Sequence, residues 1–110
     1  MSTELDIGTE PFYMAVGNTA PTIVGTLQRE GEEYAPDAAD VLSTRFEMRK
    51  WTTTVFDERA TYEGDGTVSY SWRDGDLDEH GIFFGRFTLR IRGEGVLSFP
   101  NKGGVLIRIE

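Results

Sequence analysis

Apolar and polar residues alternate with a period of two along much of this chain, most clearly between Thr67 and Arg92. Val68, Tyr70 and Trp72 recur at every second position, an acidic glycine-containing stretch follows, and Phe83, Phe87, Leu89 and Ile91 resume the same period. Successive side chains of a strand point to opposite faces, so the region predicts two strands joined by a polar loop. The intervening positions of the second strand are Phe84, Arg86, Thr88, Arg90 and Arg92. One side of the sheet is expected to be dry and the other wet and mostly cationic.

The rest of the chain reads in the same way. Phe12 to Val16 predicts a first strand after Pro11, and residues 1–10 are expected to form a loose N-terminal arm. Thr22 to Gln28 is β-branched, with Gly25 marking a bulge or a close approach. Arg29 to Asp40 is acidic, contains Gly31 and Pro36, and predicts a solvated loop with room for one helical turn. Leu42, Thr44, Phe46 and Met48 alternate with Ser43, Arg45, Glu47 and Arg49, an amphipathic strand whose outer face mixes both charges. Trp51 to Phe56 has strand propensity, and Asp57 to Asp65 is less periodic and reads as a connection. Gly93-Glu-Gly95 predicts a hairpin turn into Val96 to Phe99, and Pro100 to Gly104 a second turn before a last strand in which Val105, Ile107 and Ile109 share one face. Seven or eight short strands with no long helix predict an all-β, antiparallel sandwich in one domain. Its expected core is Phe46, Met48, Val68, Tyr70, Trp72, Phe83, Phe87, Leu89, Ile91, Val105, Ile107 and Ile109.

Composition narrows the function. At 110 residues the chain can withdraw roughly two-thirds of its unfolded surface from water without metals or disulfides. The absence of cysteine excludes a disulfide framework and a thiolate zinc site. No run approaches the ~20 apolar residues of a membrane helix, and Met1 to Asp6 lacks signal-peptide character, so a soluble, uncleaved protein without a membrane partner is expected. A formal net charge of -8 repels phosphate backbones and argues against nucleic acid as a partner. Apart from Lys50 and Lys102 every basic residue is Arg, which suits fixed bidentate pairing. An acidic, lysine-poor surface fits a high-salt host, although genomic base composition could produce the same bias.

Particular stretches carry a resemblance. Gly17-Asn-Thr-Ala-Pro21 before an apolar strand, Leu42-Ser-Thr-Arg-Phe-Glu-Met-Arg49, Gly66-Thr-Val-Ser-Tyr-Ser-Trp72, Asp76, Gly81-Ile-Phe83, Phe87 and Ser98-Phe-Pro-Asn-Lys-Gly103 follow one another in an order that resembles the N-terminal domain family of phage baseplate upper proteins. The resemblance implies an immunoglobulin-like sandwich acting as a non-enzymatic structural part of a tailed-virus particle, localised to the virion. Its implied partners are other virion proteins and copies of itself in a symmetric array. Asn18 stands where that family commonly has Asp, and Phe83 where Tyr is common, which removes a hydroxyl that could tie a loop to its strand. Baseplate upper proteins continue past this domain into stalk and adapter regions, whereas the sequence here runs to Glu110. Baseplate, tail tube, neck and capsid surface, as a decoration or turret protein, all stay open as positions.

Candidate chemistry is sparse. Asp74-Gly-Asp-Leu-Asp-Glu79 places carboxylates at alternate positions, as a Ca²⁺ loop does, but a loop starting at Asp74 would need Gly at 79 and a carboxylate at 85, where Glu79 and Gly85 stand. A turn in which Asp side chains bond nearby amides is the expectation, with no metal and no cofactor. His80, the sole histidine, has no Cys or second His for a triad or zinc set, so no catalytic residue is assigned. Trp72, Tyr70, Phe83 and Phe87 could stack on a sugar, but their period assigns them to the core. Trp51 and Phe84 fall off the apolar alternation and are either an exposed contact or a satellite cluster under a loop. Together Phe84, Arg86, Arg90, Arg92 and Trp51 form the expected docking face, with a host surface glycan as the alternative ligand.

Overall fold

The structure, a computed structural model, describes residues 2–110. Its strands are β1 (Thr3–Asp6), β2 (Phe12–Met14), β3 (Ile23–Arg29), β4 (Glu32–Glu33), β5 (Val41–Lys50), β6 (Thr53–Arg59), β7 (Thr61–Tyr62), β8 (Thr67–Tyr70), β9 (Gly81–Ile91), β10 (Gly95–Phe99) and β11 (Val105–Ile109). One 3₁₀ turn, Ala38–Asp40, is capped by the Asp37 carboxylate, which accepts from the Ala39 amide. One sheet has the order β1-β3-β8-β7 with β4 on β3; the other has the order β2-β11-β9-β5-β6 with β10 on β9. The first matches the A-B-E-D sheet of an immunoglobulin domain, and β5, β9 and β11 occupy the C, F and G places of the second. The fold is an antiparallel, immunoglobulin-like β-sandwich, with β2 and β11 as a parallel pair.

Strand β9 is the spine. Its β5 side is paired from Phe84 to Ile91, while its opposite side is shared by β11 along Gly81–Gly85 and by β10 along Phe87–Ile91. Strands β10 and β11 are thus one line of chain interrupted at residues 100–104. Short pieces of this kind raise the strand number above the expected seven or eight. A second difference concerns β8 and β9, expected as neighbours around a polar loop: they lie in opposite sheets, and residues 71–80 cross between them. That crossing lets both apolar faces meet. The stretch is also less solvated than its charges suggest, because Leu77 is buried and its carbonyl accepts from the Gly17 amide at 2.7 Å.

Residues 3–6, assigned to a loose arm by composition, are instead an edge strand paired to β3, with Thr3 and Leu5 buried. The Leu5 side chain lies where a Cβ on Gly25 would be, 2.5 Å from it, so Gly25 marks a close approach. The Thr3 hydroxyl donates to the Ser98 carbonyl, and the Asn101 amide donates to the Thr3 carbonyl at 3.0 Å, closing one edge of the sandwich. Leu42, expected to point inward, is exposed because the β5 register shifts between Val41 and Ser43, and the extra residue of such a bulge turns outward.

Every residue of the expected core is buried, together with Met14, Ile23, Leu27, Leu77 and Phe99. Phe46 is central: its ring stacks on Tyr70 at 4.9 Å, meets Trp72 edge-on at 5.6 Å and contacts Phe87 at 4.9 Å. Trp72 lies two residues beyond β8, and its indole N–H donates to the Pro21 carbonyl at 3.0 Å. Gly85 makes the arrangement feasible. A Cβ there would sit 2.7 Å from Ile107 Cδ1 and 2.8 Å from Phe46 Cζ. Gly85→Ala is expected to destabilise the protein by about 1–3 kcal/mol in urea unfolding, because the Phe46 ring is hemmed in and cannot retreat. A change under ~0.5 kcal/mol, as for an ordinary surface site, would show that the ring has room to move.

Candidate interaction surface

Residues paired directly across a sheet share a face, so the register fixes what the β9 sheet shows to solvent. Phe84 pairs with Arg49 on one side and Leu106 on the other; Arg86 pairs with Glu47, Thr88 with Arg45, and Arg90 with Ser43 and Val96. On the far side of β5, Arg45 pairs with Arg59 and Glu47 with Asp57. Of the residues expected at a docking face, Phe84, Arg86 and Arg90 therefore form one row. Arg86 is held by Glu47, Nε to Oε1 at 2.7 Å, and is mostly covered, so it is a structural cation. Arg90 is exposed and makes no ion pair among the described residues. Arg92 lies past the end of β9 in the hairpin turn, 3.8 Å from Asp40.

Trp51 joins this row from a different element. It occupies the turn between β5 and β6, 78% exposed, with its ring 6.5 Å from that of Phe84. Its φ of 56° lies in the left-handed region, which bulky residues rarely adopt and which costs roughly 1–2 kcal/mol. Arg49, Trp51, Thr52, Phe84 and Gly103 line an apolar hollow of about 270 Å³. That is smaller than the roughly 300–1,000 Å³ of clefts that enclose drug-sized ligands, and suits one inserted side chain or sugar ring. The sequence pattern singled out Trp51 and Phe84; Thr52, Gly103, Arg45 and Arg59 required the strand pairings to be found.

Several titratable groups elsewhere hold loops. The Asp76 carboxylate accepts from the Tyr70 hydroxyl at 2.6 Å and from the Arg73 amide at 2.8 Å. Burial, then this carboxylate, pushes the Tyr70 phenol well above its ordinary range. Tyr70 thereby ties this loop back to β8. Tyr34 donates to Glu94, whose other oxygen takes Arg29 at 2.7 Å. Burial and Glu94 push Tyr34 up to about 12, while Tyr34 and Arg29 hold Glu94 below the usual carboxylate range. Lys50, 2.6 Å from Glu79, lowers that carboxyl in the same way. His80 is exposed immediately before β9. Among the described residues no group of three or more His, Asp or Glu side chains is placed to hold a metal ion.

Fold and surface together define an immunoglobulin-like sandwich that presents an arginine-bearing sheet face with an aromatic hollow at one corner. No protein-family model matches the chain, and no curated protein is detectably similar to it.

The Tyr70 tie gives a pH signature. A phenol raised in the fold contributes stability that is complete below its unfolded value of about 10 and is lost as pH rises toward its folded value. Tyr70→Phe should cost about 1.5–3 kcal/mol near neutrality, the range for a hydrogen bond to a charged group. Because only the wild type loses stability as its unfolded phenol ionises, the gap between the two should hold steady up to about pH 9 and narrow as the pH is raised through about 10 to 11. A gap that stays constant across that range in chemical unfolding would show that the hydroxyl does not gain its proton affinity from the fold.

Proposed function

We propose that this protein is a non-enzymatic structural component of a tailed-virus particle, acting in assembly as a baseplate, tail or neck part through protein–protein contacts. The ordered resemblance from Gly17 to Gly103 supports the virion assignment. The observation that carries the contact itself is Trp51, held exposed in a strained backbone beside Phe84 on an arginine-bearing face. Tryptophan and arginine dominate the energetics of protein interfaces, and the strain there serves no packing need. A capsid-surface position, as a decoration or turret protein, would use the same face.

One observation favours a second reading. The hollow beside Trp51 is open and aromatic, which suits stacking on a pyranose ring of a host surface glycan. A glycan array separates the two: micromolar binding lost in Trp51→Gly supports the glycan, and silence supports assembly.

Trp51→Gly combined with Arg90→Glu removes the aromatic anchor and reverses an exposed charge. Glycine tolerates the left-handed backbone, so the variant should unfold within ~1 kcal/mol of wild type. It should nonetheless be absent from purified particles after complementation. Incorporation at the wild-type copy number would exclude this face as the contact.

A further inference from the structure

The two outward faces of the sandwich carry opposite charge. On the β9 sheet the register turns Arg45, Arg49, Arg59, Arg86, Arg90 and Arg108 away from the core, with Glu47, Asp57 and Glu110 among them. Arg59 and Arg90 make no ion pair among the described residues. On the β3 sheet Glu4 pairs with Gln28, which also pairs with Glu33, and Asp6 pairs with Thr26, all pointing outward. The Ser69 hydroxyl draws the Glu63 carboxylate onto the same surface at 3.0 Å. Arg29, the only basic residue in that sheet's strands, shares the face of Leu27 rather than that of Gln28 and turns to Glu94. In a chain of net charge -8, the cations are thus gathered on one face and the opposite face is left acidic.

We propose that the partner of the cationic face is the acidic face of a second copy of this chain, in a head-to-tail contact that repeats from copy to copy. The inference rests on reading this face as a protein contact. Charge complementarity selects the geometry: two cationic faces placed together would oppose arginine rows, and two acidic faces would oppose carboxylates, each a repulsive pairing. A face bounded by extents of 38 and 24 Å is comparable with the ~800 Å² per partner of a standard interface. Trp51 gives the cationic face an apolar anchor at its corner. A heterologous contact of this kind builds a ring when its rotation closes and a filament when it does not. Nucleic acid is a poorer occupant, because the whole chain repels phosphate even though one face attracts it.

Two double variants test the contact. Arg59→Glu with Arg90→Glu makes both faces acidic; Glu33→Lys with Glu63→Lys weakens the acid of the second face and brings cations to both. All four positions are on the surface, and circular dichroism and melting should match wild type. In sedimentation at low salt and high protein concentration, wild type should form species larger than a dimer that dissociate as salt shortens the Debye length below ~10 Å. Each variant alone should sediment as a monomer. An equimolar mixture should recover association, since each variant then meets a face of opposite charge. A monomeric wild type, or association of the lysine variant undiminished from wild type, would overturn the head-to-tail contact. Saturable binding of a DNA duplex by wild type without self-association would replace the second copy by a polyanion. A chain that associates in this way but never enters particles keeps the contact and loses the virion reading. One that enters particles yet stays monomeric in every mixture loses the contact alone.

Discussion

The structure depends on one close approach, the Phe46 ring lying against the backbone of β9 at Gly85. With any larger residue at 85 the ring would be displaced toward the opposite sheet, where Tyr70 and Trp72 already contact it on their own sides. Those rings come from β8 and the segment just after it, so the same contact requires β8 to lie opposite β9 and residues 71–80 to cross between sheets. The crossing segment then has to be held. Tyr70 bonding Asp76, Leu77 buried with its carbonyl on Gly17, and the Trp72 indole on Pro21 do this within a few residues. A core contact and a loop conformation are thus parts of one constraint.

The sandwich's remaining problem is its edges, which offer unpaired backbone groups to other chains. One side is closed by β1, anchored by Leu5 over Gly25 and by Thr3 and Asn101, which join it to the β10 line. Nearby, Tyr34 stacks on Phe99 at 5.9 Å and bonds Glu94, while Arg29 lies 5.4 Å above the Tyr34 ring. This clasp links the β3–β4 hairpin to the β9–β10 hairpin through groups that are half exposed, so it orders the edge more than it stabilises the whole. The other sheet ends at β6, whose strand faces water and carries Asp57, Glu58 and Arg59. Charged side chains on an edge strand are a common means of discouraging edge pairing.

Most of the sheet was legible in the sequence because a period of two is a strong local signal: the alternations around Phe46, Phe87 and Ile107 place those residues correctly without tertiary knowledge. What failed was what periodicity cannot encode. Leu42 obeys the alternation by position and breaks it by a bulge, which inserts a residue without leaving a glycine or proline mark. Residues 3–6 look like a polar arm because only Leu5 is a large apolar side chain among them, yet a strand closing an edge needs little more. The Asp74 to Glu79 stretch is dominated by carboxylates, and one leucine among them is the residue that packs. For the candidate surface, the sequence supplied Phe84 and Trp51 as departures from the pattern, while their proximity and the arginines of β5 and β6 depended on which strands are neighbours.

Trp51 is the residue whose presence the fold explains least. The turn it occupies needs a left-handed backbone, for which glycine is the natural choice and asparagine the next. Its ring covers part of Phe84 but remains 78% exposed, so little burial offsets the strain and the hydration of a large apolar surface. Lys50 beside it is already satisfied by Glu79 and by the Phe83 ring at 5.8 Å, and so neither needs the indole nor shields it. An exposed aromatic on strained backbone, beside an open hollow and a row of arginines, is poorly suited to the isolated chain and well suited to a bound one. Covering the ring would recover the burial that the isolated fold forgoes, and a turn fixed by β5 and β6 would hold it ready without ordering a loop at the moment of contact.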